Sequence, residues 1–322
     1  MKIKTIINKI LGFLHLPALM PSSAKVTLIA EMDKAKMKVS QLMPLKDKLA
    51  LCVYDNESRH NAWVYVVTKD GKSSCVHGSN TKETIGMSNE PVAYNGMKIL
   101  VMPSEDPKKD GILFLDWATG NVGTLPFRAP LQYSEFADGS VAYFASRGNG
   151  GFWDVVHGNQ LNKQLAPVPG IVFGMVKDGD DYHCACDDGG LISSGNWAIG
   201  EMTSDINYVG NKIVGFLRDG RVKILKDKKY VKEIGNTKMK ARRSFHDKSN
   251  NLTYWVTHGP QTLWVTNGSS IKKLADFGGD VVSDPSKEGS AFSSAVAMLD
   301  GVIYVATTKA KNSGWRLYRV DI

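Results

Sequence analysis

Only 4 cysteines occur in 322 residues, and no two of them have Cys-x-x-Cys spacing. Cys52, Cys75, Cys184 and Cys186 therefore offer no zinc-finger-like ligand set, and a chain of this length needs no disulfide framework. They read as buried free thiols on strands, with Cys184 and Cys186 on one face beside His183, compatible with a reducing compartment. Long apolar runs are missing too. Nothing approaches the ~20 residues that cross a bilayer, which excludes a spanning helix. No Pro/Ser/Gly-rich stretch and no low-complexity segment breaks the chain, so linked small domains are excluded in favour of one large core.

What is present is a repeat. Runs of β-branched and aromatic residues recur about every 42 residues, each near a tight polar turn. They are Leu49–Tyr54, Lys98–Met102, Val141–Ala145, Tyr182–Cys186, Ile213–Leu217, Leu252–Val256 and Val302–Ala306. Asn95-Gly96, Asp138-Gly139, Asp178-Gly179, Gly210-Asn211, Asn250-Asn251 and Asp300-Gly301 tolerate positive φ and so close hairpins. Further runs follow each anchor, as in Ala62–Val67, Arg221–Leu225 and Thr262–Thr266, and then Tyr230–Gly235 and Ile271–Phe277. Four antiparallel strands per repeat make a blade. The expectation is all-β, a seven-bladed β-propeller, with six or eight blades as alternatives. The last repeat stops after its third strand, and Lys25–Met32 has the pattern to complete it and close the ring. The fourth repeat is the weakest, with Gly189-Gly190 and Ser193-Ser194 where its third strand belongs.

Before that strand lies a tail, residues 1–24, set apart from the propeller of residues 25–322. Ile3, Ile6, Ile7, Ile10, Leu11 and Leu14 follow helical spacing and Pro17 ends the run, which predicts an amphipathic helix of about three turns. Alone in water such a helix is marginal, so it needs a docking site on a partner, a copy or its own propeller. Lys2 and Lys4 before an apolar stretch resemble a secretory signal, but Lys9 and His15 interrupt that stretch.

Charge is uneven. Between Arg221 and Lys248 eleven Lys or Arg stand against three acids, which makes one sector strongly basic. Lys226, Lys228 and Lys229 fall at a turn between third and fourth strands. Lys238, Lys240, Arg242 and Arg243 are expected in the connection to the next blade, on the opposite face. A sector spread over both faces suits an extended anionic partner, such as a viral or cellular protein surface, an acidic polysaccharide or phosphate groups. Nucleic acid is disfavoured for want of interleaved stacking aromatics. Loops between second and third strands share a face with the inter-blade connections, and loops on a rigid scaffold carry function. Arg59, His60, Lys108, Arg147, Asn149, His258 and Lys311 are the ligand candidates there.

Catalytic patterns are scarce. The Ser-x-Asp-x-Gly-x-x-Trp box of sialidases is absent, inner strands look poor in charge, and no nucleophile triad, phosphate loop or metal triad is legible, so no cofactor is expected. Ser293–Val320 and Glu90–Leu115, with turn, anchor strand, long loop and aromatic third strand, resemble the kelch family of propellers, though Ala306-Thr307 and Pro103-Ser104 replace its diglycine. That resemblance implies the architecture and a bias towards protein or glycan binding. The expected function is a non-enzymatic propeller fixed by its helix to a larger assembly, similar by analogy to accessory virion proteins of tailed phages. Its location would then be the virion, or otherwise the cytoplasm. A carbohydrate-binding or carbohydrate-cleaving propeller and an intracellular adaptor are the alternatives.

Overall fold

The computed structural model describes residues 6–8, 10–11, 17–34, 36–55, 62–78, 91–94, 96–102, 112–125, 136–137, 142–145, 150–154, 163–168, 172–179, 181–186, 191–193, 196–199, 201–258, 260–278, 294–309 and 313–322. Strand β1 (Lys25–Asp33) is followed by six antiparallel sheets of four consecutive strands. The first holds β2 (Met37–Pro44), β3 (Lys48–Asp55), β4 (Ala62–Thr68) and β5 (Ser73–Gly78); the second β6 (Val92–Tyr94), β7 (Met97–Met102), β8 (Ile112–Asp116) and β9 (Val122–Leu125). The third holds β10 (Phe136–Ala137), β11 (Ala142–Ala145), β12 (Gly150–Asp154) and β13 (Lys163–Val168); the fourth β14 (Val172–Asp178), β15 (Asp181–Cys186), β16 (Leu191–Ser193) and β17 (Asn196–Ile199). The fifth holds β18 (Thr203–Val209), β19 (Lys212–Leu217), β20 (Arg221–Lys226) and β21 (Lys229–Asn236); the sixth β22 (Ala241–Asp247), β23 (Leu252–Thr257), β24 (Thr262–Thr266) and β25 (Ile271–Asp276). The last strands, β26 (Ser294–Leu299), β27 (Val302–Thr308) and β28 (Gly314–Asp321), take β1 as their fourth partner.

Each anchor run of the sequence is the second strand of a sheet. β3, β19 and β27 are buried on both faces over most of their length, because their sheets are packed against others, and β23 is buried along its whole length. The hairpins use the expected turn chemistry, with Asn251 at φ 54, Asp300 at 52 and Gly301 at 75. The weakest repeat still forms a sheet, its third strand reduced to the three residues of β16. β1 pairs antiparallel with β28 from Lys25 opposite Asp321 to Asp33 opposite Gly314, so the donated strand is real.

First strands pack on first strands: β26 lies against β2 and β22, β22 against β18, β18 against β14, and β14 against β10. Met43, Leu45, Cys52 and Val64 of the first sheet share a core with Leu100, Met102 and Leu115 of the second. Hydrogen bonds tie neighbouring sheets together. The Gln261 amide reaches across to β27, donating from Nε2 to Thr308 O and accepting from Thr308 N, each at 3.0 Å. Thr308 Oγ1 in turn accepts from Val39 N of β2 at 3.0 Å.

Residues 17–24 run over the sixth and last sheets. Ala18 is buried among Tyr254, Val256, Leu263, Val296 and Val320. Asn267 Nδ2 donates to Ala18 O at 2.8 Å, and Lys272 Nζ donates to Pro21 O at 2.8 Å and Ser22 O at 3.0 Å. This half of the tail packs on its own sheets.

Candidate functional site

Three regions gather polar or exposed side chains, and the first lies along the inner strands. β2, β14, β18 and β22 each carry a bulge, where the register shifts by one residue at Ser40, Phe173, Ser204 and Arg243. Arg243 lies at φ 45 and is buried, as are Lys38, Gln41, Ser204 and Asp205. The expected charge-poor inner strands and the placement of Arg243 on an exposed inter-blade connection are therefore corrected. β22 begins at Ala241, so Arg242 and Arg243 belong to the strand, and Arg243 at the bulge is buried.

Asp205 links three sheets. Its Oδ2 accepts from Ser244 Oγ at 2.8 Å and from Ser244 N, and its Oδ1 accepts from Ile206 N at 2.9 Å. Towards β14 it presses on Gly174, where a β-carbon would lie 2.1 Å from Oδ1. Burial pushes the Asp205 carboxyl up to about 6, against the opposing pull of the Ser244 and Ile206 donors and the Arg243 charge. Cys52 is also buried, which lifts its thiol to about 12 and leaves it inert at neutral pH. Cys184 is buried as expected, but Cys75 is exposed because the outer strand β5 shows that face to solvent.

A second region lies on the face that carries the first-to-second and third-to-fourth strand turns. Residues 6–8 and 10–11 are helical. Ile6 is 57% exposed, Ile7 37% and Ile10 54%, whereas Asn8 is only 2% exposed. Asn8 Oδ1 accepts from Leu19 N at 2.8 Å, so Asn8 is buried against the following stretch of the tail while the three isoleucines are exposed. Leu11 is half-buried, and Ile3 and Leu14 lie outside the described residues.

The basic turn is on this same face. Lys226, Lys228 and Lys229 are exposed at the β20–β21 hairpin, with Lys226 directly opposite Lys229. Its central residues Asp227 (φ 50) and Lys228 (φ 62) are both left-handed without being glycine. Like charges across a ladder and non-glycine residues in that region are each unfavourable locally, and such local conflicts cluster at functional positions. Further along the hairpin the charges are paired, Lys223 with Glu201 at 2.7 Å and Arg221 with Asp219 at 2.6 Å.

The third region is the loop face. His258 N donates to Lys240 O at 3.1 Å, which brings one loop candidate beside one basic-sector residue, while Lys238 stands exposed nearby in the chain. Over the donated strand, Lys309 Nζ pairs with Glu31 at 3.2 Å and with Asp33, and Arg316 Nε reaches Glu31 at 3.3 Å. These cations hold Glu31 below the usual carboxylate range. Lys34 Nζ sits 4.1 Å above the Trp63 ring, a cation–π contact. Arg59, His60, Lys108, Arg147, Asn149 and Lys311 lie outside the described residues, so of the loop candidates only His258 is placed. Asp205 and Ser244 escaped the sequence reading, and Arg243 was named but assigned to a connection, because a bulge leaves no mark in polar/apolar alternation. Trp63 could have been found as an aromatic next to a long polar loop.

No protein-family model matches the chain, and no curated protein is similar to it in sequence. Among solved structures, the WD40 β-propeller domain of Doa1 superposes with a TM-score of 0.58 at 12% identity, covering 91% of this chain and 96% of its own. The computationally designed Ika8 protein superposes with a TM-score of 0.51 at 14% identity, covering 90% of this chain and 99% of its own. At these identities the likeness carries the fold alone. With its four-stranded antiparallel sheets, the chain has a β-propeller fold. The propeller part of the kelch-like resemblance holds, while the kelch family itself finds no match among the family models.

Proposed function

We propose that this protein is a non-enzymatic binding propeller, fixed by its N-terminal helix to a larger assembly and presenting its loops to a protein partner. In this reading the seven sheets close into one ring of seven blades, with residues 25–322 as the propeller and residues 1–24 as the tail. The observation that carries it is the exposure of the helix, with Asn8 buried against Leu19 and Ile6, Ile7 and Ile10 exposed. A helix serving only the fold would bury its apolar side. The loop face supports the binding role, since His258, Lys240 and the ion-paired Lys309 stand on a rigid scaffold. That it performs no chemistry is part of the proposal: the inner-strand carboxylate Asp205 is taken up in strand-to-strand hydrogen bonds.

The finer form, an accessory protein of a tailed-phage virion, rests on analogy, and detection of the chain in purified particles would carry it. The test of the main reading is deletion of residues 1–16, which spares the buried Ala18 and Pro21. The shortened chain is expected to keep its unfolding midpoint and to lose its hold on the particulate fraction of the cell. A marked fall in stability with unchanged fractionation would make the helix part of the fold and overturn the reading.

A further inference from the structure

Two features far apart in sequence meet on the turn-bearing face. One is the tail, where Ile6, Ile7, Ile10 and Leu19 are exposed around the buried Asn8. The β24–β25 turn holds it there through the Asn267 contact with Ala18. The other is the lysine tip of β20–β21, the corresponding turn of the neighbouring sheet. The two sheets touch at this face, where Gly268 packs on Val209 and its carbonyl accepts from Lys212 Nζ at 3.4 Å. Lys226, Lys228 and Lys229 are exposed there, and so is Lys248 at the β22–β23 turn. Of the acidic side chains at turns of this face, Asp247 accepts from Ser249 and Asn250 and Asp300 pairs with Lys69, while Asp227 is exposed in the tip itself, outnumbered by Lys226, Lys228 and Lys229. In the tail the sign is uniform, since residues 1–30 contain Lys2, Lys4, Lys9 and Lys25 and no Asp or Glu.

Resting on the reading of the tail as an anchor, we propose that the structure it anchors to is an anionic lipid surface, which this face meets flat. The exposed isoleucines and Leu19 enter the boundary between headgroups and acyl chains. The Lys226, Lys228, Lys229 and Lys248 turns meet anionic headgroups. A few apolar side chains give only marginal membrane binding, and a basic patch on the same face supplies the second signal that stable attachment needs. The charge also disfavours a second copy as the occupant. A two-fold interface through this face would bring two copies of the same lysine-rich surface together.

The test uses the full chain and sedimentation with vesicles, either phosphatidylcholine alone or phosphatidylcholine mixed with phosphatidylglycerol. Binding is expected to the mixed vesicles only, and to weaken as salt is raised. Lys226→Glu with Lys229→Glu is expected to lower affinity by about tenfold or more, since each lysine near the surface contributes roughly fivefold. Ile6→Asn with Ile10→Asn is expected to abolish binding, with the unfolding midpoint of both variants unchanged because these side chains are exposed. Equal binding to neutral vesicles, or none to anionic ones, overturns the lipid assignment. Tail-dependent self-association, or tail-dependent retention by a protein complex, would overturn it too but leave the anchor standing. If deletion of residues 1–16 changes only folded stability, both fall.

Discussion

Replacement of Asp205 by Asn tests how the inner strands are held together. The two carboxylate oxygens face different donors, Oδ1 the Ile206 N–H and Oδ2 the Ser244 N–H and hydroxyl. An amide has one acceptor, so its NH2 must face a buried N–H, and leaving such a group unsatisfied costs about 1–3 kcal/mol. The pH dependence is the sharper part. An unfolded Asp ionises near 3.8, and burial raises the folded carboxyl to about 6. Between those values the folded state binds the extra proton, so the contribution of Asp205 to stability is greatest in acid and declines as pH rises through 6. The decline from pH 4.5 to 7.5 is on the order of 2 kcal/mol. The substituted amide does not titrate, so the variant is expected to be penalised more at pH 4.5 than at pH 7.5 by that amount. Urea unfolding followed by tryptophan fluorescence at the two pH values, on both proteins, measures it. A penalty that grows with pH would mean that the three donors hold the carboxylate ionised well below 6, and the argument from burial would be wrong.

Other perturbations follow from the same geometry. Gly174→Ala would set a β-carbon 2.1 Å from Asp205 Oδ1 and 3.0 Å from Ile206 N, so it is expected to cost about 1–3 kcal/mol by overpacking, read from the urea midpoint. His246 is pushed down to about 4, mainly by burial, and so stays neutral in the fold while the unfolded state takes up a proton below about 6.5. Its contribution is therefore lost as pH falls from 6.5 towards 4, and His246→Gln is expected to lose less stability than the parent over that interval in acid titrations followed by circular dichroism. Thiol labelling at neutral pH should modify Cys75 quickly and spare Cys52 and Cys184 until the protein unfolds, with peptide mapping as the check. Asn267→Ala removes the hydrogen bond that holds Ala18 O, and limited proteolysis should then cleave before Lys25 faster than in the parent, with the propeller left intact.

Much of the fold was legible because its causes are local. Two-residue alternation marked the strands, and Asn-Gly, Asp-Gly and Asn-Asn pairs marked the turns that accept positive φ. Leu252–Val256 could be assigned to the second strand of a sheet from those signals alone, and Lys25–Met32 to the missing fourth partner of the last sheet. The candidate site was legible in kind and not in arrangement. The basic sector was visible as composition, yet its division was misjudged at Arg243, because strand β22 starts earlier than the chemistry of the connection implied. The helix pattern was visible in Ile6, Ile7 and Ile10, but periodicity says only that an apolar side exists and not which way it faces.

The sequence by itself therefore determined the repeat, the hairpins and the excess of positive charge, since each depends on residues close together in the chain, and the donated strand followed because the last repeat is one strand short and Lys25–Met32 has the matching pattern. Only the tertiary structure decided that Asp205 bonds Ser244 across two sheets, that Arg243 at the bulge is buried, and that Asn8 rather than the isoleucines is buried. It also placed the lysine tip and the tail on one face, in neighbouring sheets. The physical reason is common to all of these. A bulge reverses the pleat by one residue, and contacts between sheets join positions tens or hundreds of residues apart, so neither is encoded in the local periodicity from which a strand is read.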